Sequence, residues 1–309
     1  MAPKILLLIL IVSMVLRAVL FMSITAYWPN AAYYADHLCA SIMFIVMTAA
    51  SAHQFQINRK MFTLIMGSTI TKRQVALSVV IGILVLMFTL GESAVFTKIV
   101  TYYDVEAAYS LGKYHPEAYT SHPFFSVHVF TFIICSAIFP AIFEELFFRG
   151  LVFRSIYKNK SFFLSSVLTA AIFTALHFSK TIYIGTFLFS LALSYLYATT
   201  GSLRTCMVAH ATFNLLAFIN QYYFDFHRIR GVDELSEWHH WIPELAMLGI
   251  ALVAFGWIIF ISKDAIKHAS LPAMPSVQQA DERQRKTEVR GGNESAHRHS
   301  SEAEHITTN

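Results

Sequence analysis

The sequence predicts an all-α, polytopic membrane bundle of about eight transmembrane helices, and three observations carry that expectation. Of the 309 residues, 56% are hydrophobic and only 14% charged, where a soluble domain carries about 25% charged residues. Mean hydropathy is +0.52. Apolar stretches able to cross roughly 30 Å of hydrocarbon recur along the chain, and the run from Phe124 to Phe143 contains no Asp, Glu, Lys or Arg. The net charge of +4 is small and the basic residues lie in short loops, which suits orientation in a bilayer and leaves no expected nucleic-acid partner.

The first span covers residues 5–26 and contains Arg17. Arg17 interrupts the apolar run and no small-residue cleavage site follows, so the segment reads as a retained helix rather than a signal peptide. Its guanidinium either snorkels or pairs within the bundle. Spans over 36–53 and 75–97 flank a basic stretch with Arg59, Lys60, Lys72 and Arg73. The fourth, 124–148, carries Pro140, a cause of kinking, and then two adjacent carboxylates. Spans 161–178, 181–199 and 204–224 follow, with turns at Lys158–Lys160 and Gly201. The last covers 241–262. No internal repeat is present.

Orientation follows the basic residues. Arg59, Lys60, Lys72, Arg73, Arg154, Lys158, Lys160, Arg204, Lys263 and Lys267 fall on one side, against Lys98, Lys113, Lys180, Arg228 and Arg230 on the other. The positive-inside rule then places both termini in the cytoplasm, and the loops 98–122 and 225–240 outside. In a prokaryote the membrane would be the plasma membrane. The transmembrane bundle is expected over 1–262 and a hydrophilic cytoplasmic tail over 263–309. Residues 270–309 lack the large apolar side chains needed to fold. His297, His299 and His305 in that tail bind metal only adventitiously. Cys39, Cys135 and Cys206 are odd in number and unpaired in spacing, which argues against a disulfide framework or a cysteine zinc site.

Chemistry is expected where polarity enters the apolar helices. Ionised groups at bilayer depth cost roughly 2.5–3.5 kcal/mol each on insertion scales, so they are functional candidates. Glu144 and Glu145 are adjacent, and Arg149 lies four residues beyond Glu145, the spacing of a helical ion pair. Glu144 lies about 100° round the helix and is left free to act. Phe173 and His177 share one face of the next helix; His210 and Asn214 share one face two helices later. If the helices around Lys158–Lys160 run antiparallel, Glu144 and His177 come level about 24 Å from that turn at 1.5 Å per residue. The fourth helix must then continue to about Tyr157 despite Gly150. His210 is only about half as far beyond Gly201, so tilt or kinking is needed to bring it level.

EELFFRG at 144–150, FTALH at 173–177 and HATFN at 210–214 resemble the three motifs of the CPBP family, the CAAX-protease and bacteriocin-processing intramembrane proteases also called Abi. The resemblance covers about residues 124–222 and departs from the pattern at no motif position. It implies an intramembrane endopeptidase in which glutamate activates water within a cavity open to water and peptide. It makes Glu144 the general base and His177 its partner in holding the water, while His210 and Asn214 steady the oxyanion. Glu145, Arg149 and Phe173 support the site. The implied partners are a membrane-associated peptide or protein substrate and the bilayer, with no cofactor.

Other chemistries remain open on the residues alone. Glu144, His177 and His210 form a His₂Glu set of the kind that binds catalytic zinc, although no HExxH helix is present. A non-catalytic scaffold or immunity protein on the same fold is a second alternative. A proton-coupled transporter is a third, weakened by the lack of repeats or paired broken helices. The sequence does not identify the substrate or say whether it is prenylated.

Overall fold

Among the described residues of this computed structural model, 3–28, 32–112, 127–158, 160–177, 183–220 and 232–267, regular structure is helical apart from one isolated β-bridge between Gly67 and Ser202. Helices α1 (Pro3–Tyr27), α2 (Ala32–Gln54), α3 (Arg59–Met66), α4 (Lys72–Thr101) and α5 (Val105–Gly112) precede a composite helix α6 over 127–157. Helices α7 (Phe162–His177), α8 (Tyr183–Thr200), α9 (Leu203–Ile219) and α10 (Ile242–Lys267) complete the bundle. The stretches Lys4–Tyr27, Lys72–Thr101, Val129–Tyr157 and Trp238–Ile261 are long and apolar enough to cross a membrane, and Leu38–Gln54, Phe162–His177 and Leu203–Ile219 are shorter apolar helices. The chain is an all-α integral membrane protein. Leu8, Val12, Val253 and Trp257 are exposed along α1 and α10, as expected where lipid takes the place of core contacts.

Two expected boundaries move. The fourth span runs to Tyr157 rather than ending at 148, and α10 runs to Lys267. Residues 268–309, which hold nearly all of the expected tail, lie outside the described residues, as do 113–122 and 225–231 of the loops expected over 98–122 and 225–240. Arg17 is paired: its Nη2 lies 2.6 Å from Asp36 Oδ1 on α2. The three cysteines are free, with Cys39 and Cys206 buried and Cys135 only half-buried.

Helix α6 is not a uniform α-helix. Its α-helical turns Val127–Ile133 and Phe139–Glu145 are separated by a π segment, Ile134–Ile138, and a second π segment, Leu146–Phe153, precedes the final turn Arg154–Tyr157. Pro140 has no N–H to return to the carbonyl four residues earlier, which accounts for the first widening. Such π turns are frequent at functional sites. The helix continues through Gly150, whose missing side chain lets α3 pack closely: a Cβ would lie 2.8 Å from Ile65 Cγ2.

Two glycine turns join the start of α9 to the end of α3. Gly67 and Gly201 both have positive φ (70° and 63°), a conformation glycine adopts without penalty. A Cβ on Gly67 would strike the Gly201 carbonyl oxygen. Ser68 N–H donates to Gly201 O at 3.1 Å, and Ser202 Oγ donates to Ser68 O at 2.7 Å. Nearby, Arg154 Nε donates to Tyr197 Oη at 2.6 Å and Arg154 Nη2 to Leu64 O at 2.9 Å. The half-buried Gly201 turn is therefore seated against the end of α3, one helical turn beyond the Arg154–Tyr197 contact.

Candidate active site

Helix α6 brings Glu144, Glu145 and Arg149 into the bundle, at 4%, 0% and 0% exposure. Arg149 Nη1 donates to Glu145 Oε1 at 2.9 Å, so the expected i,i+4 pair is present. The guanidinium also donates through Nη2 to Ser190 O at 3.1 Å and Ser190 Oγ at 2.8 Å on α8. Its carbon lies 4.9 Å over the Phe173 ring, a cation–π contact that strengthens when desolvated. Phe173 is fully buried and makes edge contacts with Phe148 and Phe189.

His177 and Glu144 come together as the hairpin geometry predicts. His177 Nε2 lies 3.8 Å from Glu144 Oε2, a separation too long for a direct hydrogen bond. His177 Nδ1 lies 2.8 Å from Phe173 O. A carbonyl only accepts, so Nδ1 carries a proton and Nε2 of the neutral ring presents a lone pair toward Glu144. The rings of Phe173 and His177 lie 4.2 Å apart, which fixes the imidazole over the aromatic face. The His177 side chain keeps 33% exposure, so the site has an open edge.

His210 is buried and bonds to the other carboxylate. Its Nδ1 lies 2.8 Å from Glu145 Oε1, the oxygen that also receives Arg149. Glu145 therefore serves two partners rather than Arg149 alone. Phe189 packs edge-on against the His210 ring at 5.1 Å. Asn214 lies four residues along α9, half-buried, with no side-chain hydrogen bond to another described residue. Glu144 Oε2, Glu145 Oε2 and Arg149 Nε are buried without a hydrogen-bond partner among the described residues.

A zinc ion would require Glu144, His177 and His210 to converge. Among the described residues, they are not a group whose ligand atoms all lie within 4.8 Å of one another. Zinc at this set would need these side chains to draw closer together.

Three contributors escaped the sequence reading. Ser190 and Phe189 on α8 hold Arg149 and His210, and Thr186, Ser190 and Ser194 form a polar stripe spaced by four that could have flagged that face. Glu92 on α4 accepts the N–H groups of Ile184 and Gly185, capping α8. A Cβ on Gly185 would lie 2.6 Å from Glu92 Oε2, so only glycine lets that carboxylate reach the backbone. A lone carboxylate within an apolar span was the available signal.

Residues 126–216 match the family model described as Type II CAAX prenyl endopeptidase Rce1-like. That segment is a domain of the CAAX-protease family. It contains every motif residue from Glu144 to Asn214 and leaves α1–α5 and α10 outside. The curated proteins and the solved structures compared with the chain give no match. The Rce1-like domain is thus held by helices the family model does not cover: a Cβ on Gly82 of α4 would lie 2.7 Å from Ala209 O, so α4 lies close against α9 beside His210.

Proposed function

We propose that the chain is an intramembrane endopeptidase that hydrolyses a peptide bond of a membrane-associated substrate with a glutamate-activated water. The observation that carries this reading is the Glu144–His177 pair, 3.8 Å apart and with the tautomer of His177 set by the Phe173 carbonyl. A water about 2.8 Å from both groups subtends roughly a right angle. One of its protons then meets the Glu144 carboxylate and the other meets His177 Nε2, leaving an oxygen lone pair for attack. Glu144 takes the proton as the bond to the peptide carbon forms, and later returns it to the leaving amine.

His210 and Asn214 serve the developing oxyanion. His210 donates Nδ1–H to Glu145, so its Nε2 donates only as an imidazolium. The Glu145 carboxylate supports that charge. When Glu144 takes the water proton, the cluster gains one positive charge as the substrate oxygen gains one negative. Fixed charges placed where charge develops are usually the largest catalytic contribution. Glu145 orients His210, and Ser190 and Phe173 hold Arg149 in place. Both termini lie on the cytoplasmic side by the basic-residue bias.

The test compares membrane peptides in cells carrying the wild-type chain and Glu144→Ala. Uncleaved peptides should accumulate in the variant at equal protein levels. Identical peptide profiles would refute the proteolytic reading and favour a non-catalytic partner.

A further inference from the structure

The segment leading into α10 carries ligating groups that the proposed proteolysis does not use. Glu237, His239 and His240 each offer one ligand atom, and these atoms all lie within 4.8 Å of one another. Glu237 Oε2 is 3.3 Å from His239 Nδ1 and 3.5 Å from His240 Nε2. Both separations exceed the roughly 2.7–2.9 Å of a charge-assisted hydrogen bond. They instead match the edges of a metal tetrahedron: bonds of about 2.0–2.2 Å give ligand–ligand distances of about 3.3–3.6 Å.

The backbone explains the convergence. Trp238–Trp241 is a 3₁₀ turn, and at three residues per turn Glu237 and His240 lie over one another. The His239 and His240 rings lie 4.0 Å apart and tilted by 36°. Buried Lys98 of α4 holds the segment from beneath, donating to the carbonyls of Leu235 and Ser236. Its ammonium sits 4.9 Å from the Trp238 ring centroid and 5.8 Å from that of Trp241. Trp241 is buried, whereas the side chains of Glu237, His239 and His240 are 53%, 67% and 41% exposed. The anchors are inside and the ligands outside, so a metal meets groups already gathered.

We propose that Glu237, His239 and His240 form a divalent-metal site of the zinc class, with a fourth position open to water, that clips the connection into α10. Carboxylate and imidazole ligands suit zinc, whereas magnesium prefers oxygen ligands and its own waters. The site is separate from the carboxylates of α6 and independent of whether they hydrolyse peptides. Chelator sensitivity of the protein would therefore have a source other than the active site.

Isothermal titration of zinc sulfate into the full-length, tag-free protein tests the proposal, with magnesium sulfate as control. Because His297, His299 and His305 also ligate metals, the titration is run on the full chain with those three changed to Ala. One zinc per chain should remain, and magnesium should give no binding. His239→Ala and His240→Ala should each weaken zinc binding by more than the roughly 10–100-fold that loss of an outer-shell partner costs, with unchanged helical content. Loss of zinc binding on removing the tail histidines, or its survival in His239→Ala/His240→Ala, overturns the proposal. Mass-spectrometric mapping of diethylpyrocarbonate modification on the wild-type chain gives a readout free of substitutions. Zinc should protect His239 and His240, and equal labelling with and without zinc would also overturn it.

Discussion

Breaking the Glu145–Arg149 pair should cost stability in an unequal way that the surrounding bonds determine. Both side chains are fully buried and 2.9 Å apart, and removing one partner of a buried pair costs about 3–5 kcal/mol through the charge left behind. In Glu145→Gln, Arg149 keeps both bonds to Ser190, and the amide oxygen still accepts a hydrogen bond. That variant belongs near about 3 kcal/mol. Arg149→Met strands a buried carboxylate on His210 alone and removes the cation from the Phe173 face, so it belongs near about 5 kcal/mol. The double variant removes both charges but leaves His210 and Ser190 short of partners. It should be milder than Arg149→Met, though no milder than Glu145→Gln, which requires a coupling energy of at least about 3 kcal/mol. Equilibrium unfolding in mixed micelles measures all four corners of the cycle. Losses that add to within about 0.5 kcal/mol would refute the shared network.

Gly185→Ala should push Glu92 off the start of α8, and Glu92→Ala should do the same by deletion, each costing about 1–3 kcal/mol. Thermal melts check this, and a combined loss equal to the sum of the two would show that they do not act through one cap. Asn214→Ala should lower turnover by about 10²–10³-fold, the effect of one lost oxyanion donor. Substrate capture in a Glu144→Gln background should persist, whereas lost capture with normal turnover of bound substrate would make Asn214 a binding contact. Deleting residues 270–309 should leave cleavage by purified protein intact, and loss of cleavage at normal expression would assign the tail to substrate recruitment.

The fold class and much of the site are legible in the sequence because both rest on helical spacing. The interval from Glu145 to Arg149 and the midpoint turn at Lys158 are enough to place the ion pair and to bring Glu144 level with His177. Spacing says nothing of what lies across the bundle. Glu145 meets His210, 65 residues away, in a bundle where the turn before α9 is seated on α3 by a close backbone approach of Gly67 and Gly201. Ser190 was missed for a related reason: a hydroxyl in an apolar helix also satisfies itself on its own backbone, as Ser194 does with Ser190 O at 3.0 Å. The π widening of α6 was foreshadowed only by Pro140, whose kink signal does not specify how the helix adjusts.

The central claim is that Glu144 activates the attacking water, and single-turnover cleavage by Glu144→Gln tests it most directly. The purified variant is loaded with a membrane-peptide substrate identified by its accumulation in Glu144→Ala cells, and product is followed over time. Glutamine keeps the shape of the side chain but cannot take the proton, so the account predicts intact substrate capture with cleavage slowed by at least the roughly 10²–10⁴-fold of general base catalysis. Cleavage of bound substrate at the wild-type rate would contradict it.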